Sequence, residues 1–254
     1  MNEPDYLART QKAWEAMSVD FFEPGRKAWG QDAFTWGMWE IPESELGALG
    51  DLSLFRGMKT IELGCGTGYI SAWLARLGAS PTGIDPTPAQ LANARKFQQE
   101  FGIEFPLIEA YAESLPFPDE SFDFAISEYG AAIWSDPYLW IPEAARILKS
   151  GGRLVFLRNG ILTALCTPPG NDPAGTTLVR DYFGLNRIEW NEKDPEEFHL
   201  ATGPMIRLLV QSGFVVENLI DIQAPIGREV RFEYVSSDWS RRWPSEEIWC
   251  ARKA

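Results

Sequence analysis

Three glycines stand at alternate positions, Gly64, Gly66 and Gly68, just after the short apolar run Thr60-Ile61-Glu62-Leu63. A glycine-rich turn between a strand and a helix presents backbone N–H groups to a ligand. Its spacing narrows the ligand. A dinucleotide fingerprint, G-x-G-x-x-G, needs a glycine where this chain has Tyr69. A phosphate loop needs Gly-Lys-Ser/Thr, and neither lysine nor arginine lies between Lys59 and Arg76. Glu62, two residues before the first glycine, would oppose a pyrophosphate and suits a ligand bearing a cation, such as an ammonium group. Asp85, at the end of the next apolar run, is placed for bidentate hydrogen bonding to a ribose. NAD has the same ribose, so Asp85 does not discriminate. The sole histidine is His199, and an unperturbed imidazole, with its reference pKa near 6.5, is the residue type suited to a general base for an oxygen or nitrogen nucleophile. A structural hydrogen bond at the surface or a helix cap is the other reading. Cys65, Cys166 and Cys250 are odd in number and lack metal-ligand spacing, so neither a disulfide scaffold nor a metal site is expected.

Short apolar runs alternate with amphipathic ones from about Gly57. KTIEL (59–63), SPTGID (80–85), IEFPLIEA (103–110), SFDFAISE (121–128) and RLVFLRN (153–159) read as strands. GYISAWLARLG (68–78), the run capped by Thr87 and stopped by Gly102, and PYLWIPEAARILKSGG (137–152) read as helices. Strands alternating with helices predict parallel pairing through right-handed crossovers, hence a doubly wound α/β sheet. The rhythm breaks over 160–201, a Pro- and Gly-rich insertion that reads as a functional lid. It returns with a helix over 202–213 capped by Thr202, a strand FVVENLIDI (214–222), a short helix capped by Ser237 or Asp238, and a last strand EEIWCAR (246–252). The run EKDPEE (192–197) reads as a solvated loop. The first fifty residues and the insertion lie outside the sheet, and both are placed to roof a site at the carboxyl ends of the strands.

The chain has 254 residues, enough for one substantial core, and a net charge of −13. That charge argues against a phosphate backbone or an anionic membrane as partner. The polar, acidic N-terminus is neither a signal nor a transit peptide, and no apolar run approaches the ~20 residues that cross a bilayer, so a soluble cytoplasmic protein is expected. The 11 tryptophans read mostly as core packing. Some of them could instead line a pocket for a flat aromatic or cationic molecule.

E-L-G-C-G-T-G at 62–68 resembles the first motif of the class I S-adenosylmethionine-dependent methyltransferases. GIDPTPAQL (83–91) resembles their second motif, AESLPFPDESFDFAISE (112–128) the segment through their fourth strand, and IPEAARILKSGGRLVF (141–156) the helix and fifth strand of the small-molecule, methyltransferase type 11-like branch. The resemblance is close over 57–159 and loose over 202–254. It implies a Rossmann-like, seven-stranded, mostly parallel sheet with an antiparallel last strand, an N-terminal helical cap (1–50) and a lid insertion (160–201), all in a single domain. The implied cofactor is S-adenosyl-L-methionine, leaving S-adenosyl-L-homocysteine. The turn at Gly64, Cys65, Gly66 and Gly68 would pack on its methionine part, with Glu62 by the amino group. Asp85 would hold the ribose, with Pro86 and Gln90 near the adenosine. Many relatives have an aspartate before the Ala-Glu pair, where it binds the adenine amino group. Here Tyr111 stands there, leaving Ala112, Glu113 or stacking for that contact.

Ser127 would close the fourth strand beneath the sulfonium, and Trp36 is the candidate cap over the cofactor. Glu128 and Tyr129 follow the strand where such enzymes meet their substrates, and Glu128 is the candidate to orient an amine or steady the sulfonium. The implied function is methyl transfer to an O or N atom of a small molecule, aromatic compounds included, by a monomer or homodimer. A nicotinamide-dependent oxidoreductase, a non-catalytic cofactor-binding protein and a nucleic-acid methyltransferase are the rivals.

Overall fold

The computed structural model describes residues 5–170, 172–190, 195–229 and 232–254. Seven strands form one sheet: β1 (Lys59–Leu63), β2 (Ser80–Asp85), β3 (Leu107–Glu109), β4 (Phe122–Glu128), β5 (Leu148–Asn159), β6 (Phe214–Ile222) and β7 (Glu246–Lys253). Their order is β6-β7-β5-β4-β1-β2-β3. The pairs from β3 through β5 are parallel, and β7 runs antiparallel between β5 and β6. The expected doubly wound sheet with an antiparallel finish is therefore present.

Side-chain alternation with period two divides the core between the two faces. Leu154 and Phe156 of β5 join Ala125 of β4 and Trp249 of β7 on one face, under α6 (Pro137–Ile147) and α8 (Thr202–Gln211). Val155, Leu157, Phe124 and Ile126 point the other way, onto α3 (Tyr69–Arg76) and the aromatic segment that carries Phe34, Trp36 and Trp39. Both faces are covered, which is why these strands read as nearly continuous apolar runs.

Before the sheet come α1 (Asp5–Met17) and α2 (Phe22–Trp29). The remaining helices longer than four residues are α4 (Pro88–Phe101), α5 (Gly130–Trp134) and α7 (Ile161–Cys166). No helix among the described residues is long and apolar enough to cross a membrane.

Several boundaries differ from expectation. The helix expected over 137–152 ends at Ile147, and Leu148 already pairs with Phe122, so residues 148–152 extend β5. Only Leu107–Glu109 of the expected 103–110 strand pairs with β2. Thr87 sits at the N-cap of α4 without a side-chain cap bond, and Ala201, not Thr202, occupies the N-cap of α8. The short helix Ser237–Ser240 is capped by Ser236, whose Oγ accepts the Trp239 N–H. In the expected solvated loop, residues 192–194 lie outside the described residues. Glu196 is fully buried, paired with Arg9 and Arg187.

α6 does carry a side-chain cap, since Asp136 Oδ1 accepts the Tyr138 N–H at 2.9 Å. Asp136→Ala is expected to cost about 1 kcal/mol. In a thermal melt that is a fall of roughly 2–4 °C, and an unchanged midpoint would show that the cap contributes nothing.

Candidate functional site

The carboxyl ends of β1, β2 and β4 open onto a cavity of about 580 Å³. Its floor is the turn after β1. Gly64 adopts φ +71°, and a Cβ there would meet the Ala131 nitrogen and Gly130 Cα at 2.7 Å. The start of α5 thus lies directly against the turn. Gly66 is different: a Cβ would meet nothing within 4 Å. From outside, Trp29 of α2 donates its indole N–H to the Thr67 carbonyl at 2.8 Å and steadies the turn.

Asp85 ties the turn to the end of β2. Its Oδ2 accepts the Gly66 N–H and its Oδ1 the Thr87 N–H, both at 2.8 Å. Burial raises its pKa in spite of these two bonds. Glu62 faces the same cavity, and its Oε2 accepts from the Ser71 N–H at 2.8 Å and the Ser71 hydroxyl at 2.6 Å. Burial pushes its carboxyl up to about 8.

A second pair of acids stands at the end of β4 and the start of β7. Glu128 lines the cavity, and its Oε1 accepts the Gly37 N–H at 2.7 Å. Glu246, at the start of β7, accepts the Met38 N–H at 2.8 Å and the Tyr129 hydroxyl. The backbone of Gly37 and Met38 therefore passes between the half-buried Glu128 and the fully buried Glu246. Gly37 has φ +65°, and a Cβ on it would overlap the Glu246 carboxyl, so only glycine fits there. Burial pushes Glu128 up to about 8 and Glu246 to about 7, and each of the neighbouring acids Glu246 and Glu62 raises Glu128 further. Tyr129 is raised as well, first by burial and then by Glu246. Its φ of +58° is unusual for a side chain of this size.

Two cations line the mouth, and Glu40 engages both. Its carboxylate lies 2.9 Å from Lys27 Nζ and 3.0 Å from Arg228 Nη1. The cause of each inner acid's shift is burial, and no cation among the described residues lowers Glu62, Glu128 or Glu246. Trp14, Phe21 and Trp134 form an aromatic wall, with ring centroids 5.0 and 5.2 Å from Trp14.

Of the residues singled out in the sequence, Glu62, Gly64, Cys65, Gly66, Asp85, Pro86, Gln90, Tyr111, Ala112, Glu128 and Tyr129 all line this one cavity. Others do not. Gly68 caps α3 behind the turn. Ser127 is fully buried, donating to the Leu63 carbonyl and accepting the Ala132 N–H. Glu113 accepts the Tyr6 hydroxyl at 3.0 Å, fixing α1. Trp36 is not a cap, because it lies fully buried in the core with its indole N–H on Glu43 at 2.5 Å.

His199 is not brought to the cavity either. It is 1% exposed, its Nε2 lies 2.7 Å from Glu197, and Trp190 packs edge-on to its ring. The described residues of 160–201 do not line the cavity at all. The roof comes from α1, α2, the 35–40 segment and residues 228, 229 and 232. The sequence reading missed Thr10, Trp14 and Glu246. For Glu246 no local signal existed, since its partner Met38 is 208 positions away.

Residues 61–156 match the family model of the methyltransferase domain. Over 136 residues the chain is 38% identical to a demethylmenaquinone methyltransferase of Thermus thermophilus, covering 52% of this chain and 58% of that protein. It is 27% identical over 192 residues to a ubiquinone biosynthesis O-methyltransferase of a Ruegeria species, covering 72% and 74%. The chain thus spans less than two thirds of the Thermus relative's length. Among solved structures, an S-adenosylmethionine-dependent methyltransferase from Mesorhizobium loti shares the fold with a TM-score of 0.64 and 23% identity, covering 82% of this chain and all of that one.

Proposed function

We propose, on the premise that this chain belongs to the class I S-adenosylmethionine-dependent methyltransferases, that it transfers a methyl group to an O or N atom of a small molecule. The observation that supports the reading is one cavity lined by the glycine turn, Asp85, Glu128 and Tyr129 together. The residues present fit S-adenosylmethionine. Asp85 offers a carboxylate at the end of β2, Gly66 leaves open space, and buried oxygens of Thr10 and Gln90 stand without a partner among the described residues. When bound, the cofactor supplies an electrophilic methyl carbon on a positive sulfur.

The protein's part is chiefly to position two reactants, which can lower a barrier by roughly 7–11 kcal/mol. The turn at Gly64–Gly66 and Asp85 hold one of them. Glu128 and the aromatic rings of Phe21 and Trp134 receive the other. Glu128, in its ionised form, would take the proton that the acceptor gives up. A carboxyl group displaced to about 8 is a stronger base once ionised than an ordinary glutamate, but it holds its proton near neutral pH, so transfer that depends on it should rise toward pH 8. Two relatives are named for quinone biosynthesis, and the aromatic wall is compatible with a flat phenolic acceptor; Glu128 is equally compatible with an amine.

The test is calorimetric titration with S-adenosylmethionine and S-adenosylhomocysteine, on the wild type and on Asp85→Ala. Roughly micromolar binding is expected for both ligands, weakened at least about thirtyfold in the variant. Transfer of a labelled methyl group to a panel of phenols and amines then identifies the acceptor. Binding of NADH in place of either ligand would overturn the reading.

A further inference from the structure

The position that holds an adenine-binding aspartate in many class I enzymes is occupied here by Tyr111, and the structure shows what Tyr111 does instead. Its hydroxyl donates to Gln11 Oε1 at 3.2 Å, while Gln11 Nε2 donates to the Pro86 carbonyl at 2.6 Å. Gln11 belongs to α1, which is also fixed by Tyr6 on Glu113, by Glu15 on the Ala89 N–H and by Asn93 on the Ser18 carbonyl. The helix is thereby laid across the ends of β2 and β3. Leu7, Thr10 and Trp14, spaced three and four apart, share one helical face, and all three line the cavity.

That face leaves something unmatched. Thr10 is 5% exposed and Gln90 3% exposed, and both line the cavity with Pro86, Thr87 and Ala112. Thr10 Oγ1 and Gln90 Oε1 have no hydrogen-bond partner among the described residues. Buried polar atoms are nearly always paired, so two orphans on the wall of one cavity call for a ligand. Gln90 Oε1 accepts, and the Thr10 hydroxyl can accept or donate, so an amino group that offers two hydrogens satisfies both. The indole N–H of Trp14, also buried and unpartnered, adds a donor on the same wall.

We propose that Thr10 of α1 and Gln90 of α4 read the adenine base, each oxygen accepting one hydrogen of its exocyclic amino group, with Trp14 donating toward a ring nitrogen. A glutamine side chain suits this edge because its carboxamide meets an amino group and an adjacent ring nitrogen together. Base recognition has moved off the sheet and onto the N-terminal helix. Tyr111 completes the exchange by docking that helix. This rests on the cofactor reading above.

The experiment compares S-adenosylhomocysteine with S-inosylhomocysteine, in which a carbonyl replaces the amino group. Both are titrated into the wild type, Gln90→Leu, Thr10→Val and Asp85→Ala, each first shown by thermal melt to be folded. The wild type is expected to prefer the adenine compound at least about tenfold, the cost of leaving buried polar groups unmatched. Gln90→Leu should lose about that factor for the adenine compound and stay within about twofold for the inosine compound. Thr10→Val should behave alike and serves alone if Gln90→Leu does not fold. Asp85→Ala should weaken both compounds equally.

Equal binding of the two compounds by the wild type, or equal weakening of both by the Gln90 and Thr10 variants, overturns the proposal while leaving the cofactor reading intact. If the wild type binds neither compound, the cofactor reading itself has failed, and this inference fails with it.

Discussion

The Gly64→Ala variant is expected to be destabilised by about 3–5 kcal/mol, enough to lower the melting temperature by roughly 10 °C or more. Two costs combine. The residue sits at φ +71°, where an L side chain strains the backbone by about 1–3 kcal/mol. The added methyl must also displace backbone, since Ala131 N and Gly130 Cα lie 2.7 Å from where it would be, and overpacking of this kind costs about 1–3 kcal/mol. Neither neighbour is the end of a flexible side chain that could swing away. Gly66→Ala provides the contrast. Its φ is +51° and its Cβ position is open, so only about 1–2 kcal/mol of conformational cost is expected, while the methyl enters the cavity and weakens cofactor binding. Denaturant unfolding of the two variants separates the cases. Equal destabilisation of both would show that the turn tolerates or rejects side chains for reasons other than contact with α5.

The second large effect concerns pH. Glu62 and Glu128 titrate near 8 in the folded protein and Glu246 near 7, whereas an unfolded chain releases such protons near 4.5. Between those values the folded state binds more protons than the unfolded one, so stability falls as pH rises from about 5 to 8. Each proton held differentially contributes about 1.4 kcal/mol per pH unit. A loss of several kcal/mol, up to about 6 if the three groups titrate independently, is therefore expected between pH 6 and 8 for the protein alone. The lowered carboxylates, such as Glu100 beside Arg26 and Glu143 beside Arg146, titrate below this window.

A bound sulfonium and ammonium would draw the inner acids toward ionisation. Affinity should then rise by up to about tenfold per pH unit for each proton released, and calorimetry in buffers of different protonation enthalpy should register that release. Glu246→Gln should flatten the upper part of the stability profile. A wild-type profile that is level or rising from pH 6 to 8 would sink this account.

How much of this was legible in the chain depended on distance along it. β1, β2 and β6 lie where KTIEL, SPTGID and FVVENLIDI stand, because alternation and punctuation are local properties. The glycine turn and Asp85 were legible for the same reason: each occupies the end of a strand whose own residues announce it. The end of α6 was not. Nothing within Leu148–Gly152 signals that Leu148 pairs with Phe122 across the sheet. His199 shows the limit of reading by residue type, since its chemistry suits a base while its packing places it against Glu197 and Trp190. The passage of Gly37 and Met38 between Glu128 and Glu246 joins three remote parts of the chain, and only the folded sheet brings them together.

The placement of β7 bears on how the molecule is made. Among the described residues it follows every other strand in chain order, yet it lies between β5 and β6 and supplies the one ladder by which β6 joins the sheet. During synthesis, which delivers roughly 5–20 residues per second, residues 214–222 must wait on the ribosome's progress before they have anything to pair with. Until then the nascent chain exposes an unpaired β5 edge, and Tyr129 and Met38 lack the carboxyl group that later engages them. The contacts of Tyr129 and Met38 with Glu246 and the sheet itself should therefore be completed in one late event. A ribosome stalled short of residue 246 would hold a protein with an open edge, a natural client for a chaperone.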